Sequence, residues 1–322
     1  MKKICVFTSG GDSPGMNAGI RAVVRYGRAK GLEVIGVFRG YDGLINGKLK
    51  DFNERSVSNI IQQGGTILKT ARCAEFRTEQ GVKKAAETLT KNNIEAVIAI
   101  GGDGTFKGLL ALKKYWQGQI IGVPGTIDND LYGTDYTIGF DTAVNTALEA
   151  IDKIRDTANA HERCFIVEVM GRHAGFLAIA AGIAGGVEEI LVPETKTDIK
   201  AIAQRLKENE EKGKQSNIII VAEGDDAGNA FEISEKLKKV NDIDYKISIL
   251  GYIQRGGAPT ANDRILASKL GAYAVDLYLA GESGVMAGET KGELCAVSLE
   301  DAVNKKKDID KNLLNIGCFL SQ

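Results

Sequence analysis

The sequence predicts an α/β protein with two lobes, each built on a Rossmann-like, doubly wound and mostly parallel sheet. Short runs rich in β-branched residues alternate with longer amphipathic segments, which is typical of parallel strands joined by crossover helices. Several strand-like runs are apolar throughout, and this indicates sheets covered on both faces. The chain has 322 residues, more than the roughly 250–300 residues at which a single hydrophobic core stops growing.

The predicted elements alternate regularly, with glycine-rich turns between them. The predicted strands are Ile4–Thr8, Val34–Phe38, Ala96–Ile100, Ile120–Val123, Phe165–Met170, Ile218–Ala222 and Ile247–Ile253. The predicted helices are Met16–Lys30, Val82–Lys91, Phe106–Lys114, Thr142–Ala158, Ile199–Lys212, Phe231–Lys239 and Asp263–Leu279. The sharpest motifs end near Gly139 and a long helical segment follows, so we place a lobe boundary there.

Composition excludes several classes of partner. The net charge is −1, so the chain lacks the general basic field that favours nucleic acids or anionic membranes. The five cysteines are widely spaced and include no Cys-x-x-Cys pair, which favours free thiols in a reducing compartment. The N-terminal apolar run turns polar at Thr8, and Phe176–Val187 is too short to cross a bilayer. We therefore expect a cytoplasmic protein.

The first motif, Thr8-Ser-Gly-Gly-Asp-Ser-Pro-Gly-Met-Asn17, lies between a predicted strand and a predicted helix. Its glycines let the backbone approach a phosphate, and free N–H groups at the helix start face that phosphate. The motif is neither the G-x-G-x-x-G of dinucleotide folds nor a Walker A loop, because no G-K-[ST] ends it. It indicates phosphate binding, with an ordinary tight turn as the alternative.

The second motif, Ile100-Gly-Gly-Asp-Gly-Thr105, again joins an apolar strand to a helix. A carboxylate between glycines at a strand end is well placed to hold Mg²⁺ beside a triphosphate. Asp103 can also simply cap the helix, but three glycines around one acid exceed what a cap requires. A GGDG loop occurs in NAD kinases and lipid kinases as well, so the motif indicates phosphoryl transfer without naming the acceptor.

The third motif, Pro124-Gly-Thr-Ile-Asp-Asn-Asp130, directly follows the predicted strand Ile120–Val123. Open α/β sheets bind their ligands beyond the carboxyl ends of strands, and kinase chemistry needs a carboxylate that accepts the proton of the acceptor hydroxyl. Asp128 suits that role. The alternative is an Asx-rich turn without chemistry.

Four arginines lie next to glycines or loops and complement these acids. Guanidinium groups bind phosphate oxygens in pairs, which lysine does not reproduce, although a single arginine is more often a solvated surface residue. These arginines are Arg72, Arg163, Arg172 and Arg255.

Taken in this order, the motifs resemble those of the bacterial ATP-dependent 6-phosphofructokinase family, from Lys2 to about Ala280. The segments that carry the resemblance are SGGDSPGMNA, GGTILKTARCAEF, IGGDGT, PGTIDND, GTDYTIGFDTA, VEVMGR and GYIQRGG. The resemblance implies the phosphofructokinase fold. It also implies a larger ATP-binding lobe of residues 1–139 plus about 256–305, and a smaller sugar-phosphate lobe of residues 140–255 plus about 306–322.

The activity implied by the resemblance is Mg²⁺-dependent phosphorylation of fructose 6-phosphate by ATP, a step of glycolysis. Asp128 would be the base, Asp103 would hold Mg²⁺, and Thr126, Arg72 and Arg172 would serve the transferring group. The implied ATP site comprises Gly11, Arg72, Cys73, Gly102, Asp103, Gly104 and Thr105. The implied sugar-phosphate site comprises Thr126, Ile127, Asp128, Arg163, Met170, Gly171, Arg172, Glu223, Lys246, Tyr252 and Arg255.

Members of this family are homotetramers whose active sites straddle a subunit interface, so the resemblance implies self-association. Arg163 and Lys246 would reach a neighbouring subunit's site. Allosteric ADP or phosphoenolpyruvate is also implied, although a solvated helix face is the alternative for part of this set. The implied effector residues are Arg21, Arg25, Arg155, Gly186, Glu188, Lys212 and Lys214.

The sequence departs from the family pattern at two positions. Tyr252 stands where the family usually has histidine, and Lys246 stands where it usually has arginine. Because lysine lacks the forked contact of arginine, we expect altered sugar-phosphate binding with the transfer chemistry intact. Pyrophosphate-dependent relatives carry larger residues at the positions of Gly104 and Gly125, so these glycines favour ATP as donor.

Two other functions remain open from the sequence. A regulatory paralogue that binds nucleotide without turnover is one, although such a protein has no use for a base at Asp128. A kinase of another ketose phosphate, such as tagatose 6-phosphate, is the second.

Overall fold

The computed structural model describes residues 2–214 and 216–320, and these residues form two compact units. The first unit comprises residues 2–127, 131–142 and 255–307. The second comprises residues 128–130, 143–214, 216–254 and 308–320. Each unit is therefore assembled from segments that are distant in the sequence.

Among the described residues, the first unit contains one seven-stranded sheet. Its strands are Lys3–Thr8 (β1), Glu33–Val37 (β2), Leu49–Phe52 (β3), Ala96–Gly101 (β4), Gln119–Pro124 (β5), Val285–Thr290 (β10) and Glu293–Ser298 (β11). The strand order is β11-β10-β5-β4-β1-β2-β3. Only β3 and β11, at the two edges, pair antiparallel with their neighbours, so the carboxyl ends of β1, β4 and β5 share one edge of the sheet.

Helices cover both faces of this sheet because successive strand residues point to opposite sides. Ile4 and Val6 of β1 join the core beneath the helices Met16–Ala29 and Ala261–Leu279. Cys5 and Phe7 join the core on the other face, beneath the helices Glu79–Lys91 and Asp103–Lys113. The helices of this unit are Met16–Ala29 (α1), Tyr41–Ile45 (α2), Glu79–Lys91 (α3), Asp103–Lys113 (α4), Ala261–Leu279 (α9) and Leu299–Asn304 (α10).

The second unit holds a parallel sheet in the order β7-β8-β6-β9. Its strands are Cys164–Val169 (β6), Glu189–Leu191 (β7), Asn217–Ala222 (β8) and Tyr245–Ile249 (β9). Its helices are Phe176–Ala184 (α6), Ile199–Glu211 (α7), Ala230–Asn241 (α8) and Lys311–Leu320 (α11), together with most of Phe140–His161 (α5). Ile166, Leu206, Ile219, Val221 and Leu237 lie in an apolar core against α7 and α8.

The predicted α/β class with mostly parallel sheets is confirmed. The predicted strand Ile247–Ile253 is wrong at its end, because β9 stops at Ile249 and residues 251–255 form a 3₁₀ helix. Gly251 has a φ of 52°, a left-handed conformation that a strand does not accommodate. Within residues 2–214 and 216–320, no helix has the length and apolar character needed to span a membrane.

Candidate active site

The glycine-rich loop leaves β1 at the carboxyl edge of the first sheet and ends at α1. Gly10 and Gly15 have φ angles of 85° and 102°, which residues with a side chain rarely adopt. Gly10 and Gly11 are exposed, while the Ser9 N–H donates to the Ile100 carbonyl oxygen of β4 at 3.1 Å. The loop is therefore open on one side and fixed to the neighbouring strand on the other.

The loop after β4 carries Asp103 and is braced against the glycine-rich loop. Gly102 precedes α4, and Asp103 is the first residue of that helix. Thr105 is 2% exposed, and its hydroxyl donates to the Ser9 carbonyl oxygen at 3.0 Å. The Tyr41 hydroxyl, whose pKa is raised by burial, donates to the Thr105 carbonyl oxygen. The Thr105 hydroxyl thus holds two loops together.

The loop after β5 carries Thr126 and leads to Asp128. A Cβ atom at Gly102 would lie 3.5 Å from the Thr126 Cβ, so the loops after β4 and β5 touch. The Thr137 hydroxyl donates to the Thr126 carbonyl oxygen at 2.6 Å. Ile127 is buried, and Asp128, the next residue along the chain, is half-buried. The first unit thereby brings Asp103 and the stem of the Asp128 loop to neighbouring strand ends.

Arg72 and Cys73 lie in a segment that is tied to the end of β1. The hydroxyls of Thr8 and Thr66 are hydrogen-bonded at 2.8 Å, and the Thr8 hydroxyl also donates to the Lys69 carbonyl oxygen at 3.2 Å. Cys73 packs against the apolar core beneath α3 and α4. Arg72 is exposed and, in the described part of the chain, forms no ion pair. Its guanidinium is available to an anionic ligand.

Arg255 lies directly over Gly11. A Cβ atom at Gly11 would clash with the Arg255 guanidinium, so the glycine makes room for the arginine. The Arg255 Nε is buried and has no hydrogen-bond partner among the described residues. A buried N–H without an acceptor is costly, and an anionic ligand can supply the missing acceptor.

The carboxyl edge of the second sheet carries four of the predicted sugar-phosphate residues. Met170, Gly171 and Arg172 follow β6, and Glu223 follows the neighbouring strand β8. The Glu223 N–H donates to the Val169 carbonyl oxygen at 2.8 Å. Arg172 has a φ of 58°, uncommon for a residue with a side chain. Arg172 and Glu223 are both exposed, so these side chains are presented to solvent side by side.

Tyr252 lies near the same edge of this sheet, just after β9. It belongs to the 3₁₀ helix of residues 251–255 and is 82% exposed. Because β9 pairs with β6 in parallel, Tyr252 follows a strand that neighbours the one before Arg172.

Arg163 and Lys246 lie at the opposite, amino edge of the second sheet. Arg163 directly precedes β6, and Lys246 pairs in register with Phe165 near the start of that strand. The Lys246 Nζ forms an ion pair with Asp244 at 2.6 Å. β6 has six residues, and a strand of that length spans roughly 17 Å. Within one chain, these two cations therefore lie apart from Arg172.

Five predicted effector residues lie in the second unit, and four of them are in contact. Glu188 is 5% exposed, and its carboxylate forms an ion pair with the Lys214 Nζ at 2.8 Å. Arg155 lies 3.8 Å from the same carboxylate and donates to the Gly186 carbonyl oxygen at 2.8 Å. Lys212 follows α7 and is exposed.

The remaining two predicted effector residues, Arg21 and Arg25, lie one turn apart on α1 of the first unit. Burial, and then the neighbouring Arg25 cation, lowers the pKa of Arg21. Arg25 donates to the Glu54 carbonyl oxygen at 3.5 Å, and its buried Nε has no partner among the described residues. Two cations held close together in this way attract an anion.

Comparison with known proteins identifies the family of this chain. The family model for phosphofructokinase matches residues 3–278. The chain belongs to the phosphofructokinase family. It is 56% identical to ATP-dependent 6-phosphofructokinase 1 of Thermus thermophilus and 51% identical to ATP-dependent 6-phosphofructokinase of Bacillus pumilus. Both alignments cover 100% of each chain.

Solved phosphofructokinase structures share the fold. The structure of phosphofructokinase from Saccharomyces cerevisiae matches with a TM-score of 0.88 and 37% identity, over 94% of this chain and 45% of the yeast chain. A pyrophosphate-dependent phosphofructokinase from Marinobacter aquaeolei matches with a TM-score of 0.83 at 24% identity, over 97% of this chain and 86% of that one. This second likeness concerns the fold alone.

The Asp103 carboxylate fits a magnesium ion that arrives with a nucleotide. Its Oδ2 is paired with the Lys107 Nζ at 2.8 Å, and the Lys107 side chain is largely exposed. Across residues 2–214 and 216–320, no group of three or more His, Cys, Asp or Glu side chains is arranged to hold a metal. Protein Mg²⁺ sites commonly use one or two carboxylates together with substrate phosphates and water, and a single carboxylate matches that pattern.

The two glycines used to argue for a nucleotide donor differ in their surroundings. Gly104 is exposed, and a Cβ atom there would meet open space. Gly125 is buried, and a Cβ atom there would lie 2.9 Å from the Ile100 Cγ2 and 3.3 Å from the Met16 Cε. A Cβ atom at Gly125 would therefore meet core side chains, and the argument that this glycine leaves room for the donor stays a prediction.

Sequence reasoning missed the side chains that hold the loops in place. Tyr41, Thr66 and Asp263 each bond a loop segment from a distant part of the chain. Thr137 bonds Thr126, which lies 11 residues earlier. Only Asp263 had a local signal, since Thr260 and Asp263 have the spacing of a capping box before an apolar run.

Proposed function

We propose that this member of the phosphofructokinase family is an ATP-dependent 6-phosphofructokinase that phosphorylates the 1-hydroxyl of fructose 6-phosphate. One observation carries the proposal: three loops of the first unit meet at neighbouring strand ends, where they present glycines, the Asp103 carboxylate and the stem of the Asp128 loop. The names of the relatives at 56% and 51% identity state the same activity.

The nucleotide binds to the first unit in this proposal. Its phosphates approach the exposed backbone of Gly104, where a Cβ atom would meet open space, and the exposed backbone of Gly11, over which the Arg255 guanidinium lies. Gly102, Cys73 and the backbone of Thr105 complete the surroundings, and Arg72 supplies a guanidinium for phosphate oxygens. The open space beside Gly104 supports ATP over pyrophosphate as donor, because a nucleoside needs that room.

Asp128 is the proposed base for the acceptor hydroxyl. A positioned carboxylate that takes this proton contributes roughly 10²- to 10⁴-fold to the rate. Thr126 lies two residues earlier in the same loop, and Ile127, between the two, is buried. Arg72 and Arg172 stabilise negative charge on the transferring group, which is the largest contribution available in phosphoryl transfer.

Mg²⁺, when bound, neutralises charge on the nucleotide phosphates. Asp103 would hold it, together with phosphate oxygens and water. Lys107 pairs with Asp103 in the structure, and its long, exposed side chain can withdraw at little cost when the carboxylate takes another partner.

The sugar phosphate is bound, we infer, by residues of two subunits. Five of the proposed residues follow strands at one edge of the second sheet: Met170, Gly171, Arg172, Glu223 and Tyr252. Arg255 is the sixth proposed residue. Arg163 and Lys246 lie at the opposite edge, roughly a strand length away. They can serve a sugar-phosphate site only in a neighbouring copy, which supports the proposed homotetramer with shared sites.

Regulation by ADP or phosphoenolpyruvate is the proposed role of the basic residues outside this site. Arg155 and Lys214 surround the buried Glu188, and Arg21 and Arg25 lie together on α1. Gly186 and Lys212 flank the first group. A cytoplasmic location fits this glycolytic function, and neither a nucleic acid nor a membrane enters it.

A coupled assay of purified protein tests the proposal with two donors, ATP and pyrophosphate, and two acceptors, fructose 6-phosphate and tagatose 6-phosphate. We expect ADP release with ATP and fructose 6-phosphate, abolished when EDTA removes Mg²⁺. Absence of turnover despite nucleotide binding would establish a non-catalytic paralogue instead. A higher kcat/KM with tagatose 6-phosphate would keep the kinase but overturn the proposed acceptor.

A further inference from the structure

Asp263 is an almost fully buried acid that reaches from one helix to the start of another. It lies in the first turn of α9 and is 1% exposed. Its Oδ1 accepts the Gly139 N–H at 2.8 Å, and its Oδ2 accepts both the N–H and the hydroxyl of Thr142. Asp263 therefore binds a segment more than one hundred residues earlier in the chain.

These contacts cap α5 from outside. The first N–H groups of a helix have no acceptor within it, and a carboxylate there is favoured by the helix dipole. The Thr142 hydroxyl in turn accepts the N–H of Thr260, the residue that caps α9. The starts of α5 and α9 are thus joined by a closed set of hydrogen bonds.

The segment that Asp263 holds is bonded directly to the loop after β5. The Ile138 N–H donates to the Pro124 carbonyl oxygen at 2.9 Å, and the Thr137 hydroxyl donates to the Thr126 carbonyl oxygen at 2.6 Å. A continuous set of bonds therefore runs from Asp263 through residues 137–139 to Thr126, two residues before Asp128.

The glycine-rich loop packs against the same point. A Cβ atom at Gly15 would lie 2.8 Å from the Ile138 Cγ2 and 3.5 Å from the Asp263 Cβ. Asp263 is therefore placed where the glycine-rich loop, residues 137–142 and the start of α9 converge.

A buried carboxylate at this position is costly unless its oxygens accept hydrogen bonds. Burial raises the pKa of Asp263 against the effect of its hydrogen bonds, and no Lys, Arg or His of the described residues forms an ion pair with it. Asn or Ser can cap a helix, but only a carboxylate offers two acceptor oxygens to three donors without presenting a donor of its own. Its chemistry thus matches the geometry of this particular junction.

We propose that Asp263 is a positioning residue for phosphoryl transfer, which fixes residues 137–142 and through them the loop that carries Thr126 and leads to Asp128. The proposal rests on the proposed function, since it concerns the same reaction. Asp263 acts without touching substrate. It holds in register the loop that leads to the base, beside the glycine-rich loop.

The test compares Asp263→Asn with Asp276→Asn, both on α9. Asp276 accepts a hydrogen bond from the Tyr26 hydroxyl at 3.0 Å and contacts neither loop. Because small misplacements can cost up to about 10²-fold, we expect kcat of Asp263→Asn to fall roughly 10- to 100-fold while both KM values change less than about threefold. Asp276→Asn should keep kcat within about twofold of the wild type. Equal kcat values for Asp263→Asn and the wild type, per folded molecule, would overturn the proposal.

Thr142→Val provides a milder variant if Asp263→Asn folds poorly. It removes only the hydroxyl that donates to Asp263 and accepts from Thr260. We expect kcat to fall about 3- to 10-fold, and the double variant to be no worse than Asp263→Asn because one network is disrupted in each case. Full activity of Thr142→Val would contradict the proposal.

Hydrogen exchange without substrates separates this inference from the proposed function. In Asp263→Asn, amides of residues 137–142 should exchange at least about tenfold faster, while those near Asp276 stay unchanged. If the wild type lacks phosphofructokinase activity, the proposed function fails and exchange alone decides whether Asp263 holds the segment. Unchanged exchange at residues 137–142 would overturn the positioning role.

Discussion

The loops of the first unit and the strand ends of the second hold their functional residues in different ways. In the first, the buried residues Thr105 and Thr137 use their hydroxyls to bond one loop to another. In the second, Arg172, Glu223 and Tyr252 are exposed at the ends of strands. The transfer chemistry is thus proposed for a braced region, and sugar recognition for an open one.

This difference gives a physical reason why the two departures that the resemblance implies lie in the second unit. Tyr252 and Lys246 both lie in the second unit, exposed or partly exposed, where a new side chain disturbs little packing. A change at Thr105 or Gly125 would disturb buried neighbours. Specificity can therefore vary in the second unit while the first keeps its geometry.

Replacing Asp128 should have the largest effect. Serine cannot take the proton from the acceptor hydroxyl at neutral pH, so we expect kcat of Asp128→Ser to fall roughly 10²- to 10⁴-fold, with both KM values changed less than about threefold. Steady-state kinetics with ATP and fructose 6-phosphate measures this. Asp135→Ser, in the following segment of the first unit, serves as the control. A kcat for Asp128→Ser within tenfold of the wild type would exclude Asp128 as the base.

Removing one hydrogen bond between loops of the first unit should have an intermediate effect. Thr105→Val keeps the shape of the side chain but removes the donor to Ser9, and we expect the free energy of unfolding to fall by about 1–3 kcal/mol. We also expect kcat to fall about 3- to 10-fold as the two loops lose register. Urea denaturation and kinetics measure the two quantities.

The matched control is Thr88→Val, which removes an exposed hydroxyl bonded to the Lys84 carbonyl oxygen at 3.1 Å. Its free energy of unfolding should change by less than about 0.5 kcal/mol. If Thr105→Val keeps the full kcat, the hydrogen bond between the two loops of the first unit does not affect phosphoryl transfer. The structural difference between the two units would then have no consequence for catalysis.

Introducing the two residues that the resemblance leads us to expect in the second unit should have the smallest effect. In Tyr252→His with Lys246→Arg, the forked guanidinium can contact the sugar phosphate in two places. We expect the KM for fructose 6-phosphate to fall about 3- to 10-fold, within the roughly 1.4 kcal/mol that a tenfold change represents, with kcat unchanged. Lys238→Arg, near the same Asp244 at 4.0 Å, is the control. An unaltered KM in the double variant would show that neither residue reaches the sugar phosphate.

Most central strands and long helices were predictable because their signals are local. The parallel strands β1, β4, β5, β6 and β8 are short apolar runs, and α1, α7 and α9 begin within two residues of their predicted starts. The hairpin of β10 and β11 was missed. Its turn is formed by Lys291 and Gly292, both with positive φ, and Lys-Gly is a weaker hairpin signal than Asn-Gly. β7 has only three residues, too few for a period to be read.

The residues of the candidate site likewise differ in whether a local sequence signal identifies them. Asp103 and Asp128 could be found because each lies in a motif directly after an apolar strand. Asp263 could not be linked to them, since its partners are 121 and 124 residues away and the contact exists only once α5 and α9 have packed. The separation of Arg163 and Lys246 from Arg172 likewise depends on strand register, which no local motif contains.

The most direct test of the account is complementation between two impaired variants, Asp128→Ser and Arg163→Ala. If each site takes its base from one subunit and Arg163 from another, mixed assemblies contain sites with both groups intact. Random mixing in equal amounts should restore about one quarter of the wild-type sites, one half multiplied by one half, in a symmetric assembly. We predict that activity returns on mixing after reversible dissociation. Mixed assemblies that form but stay as impaired as the parents would contradict the account.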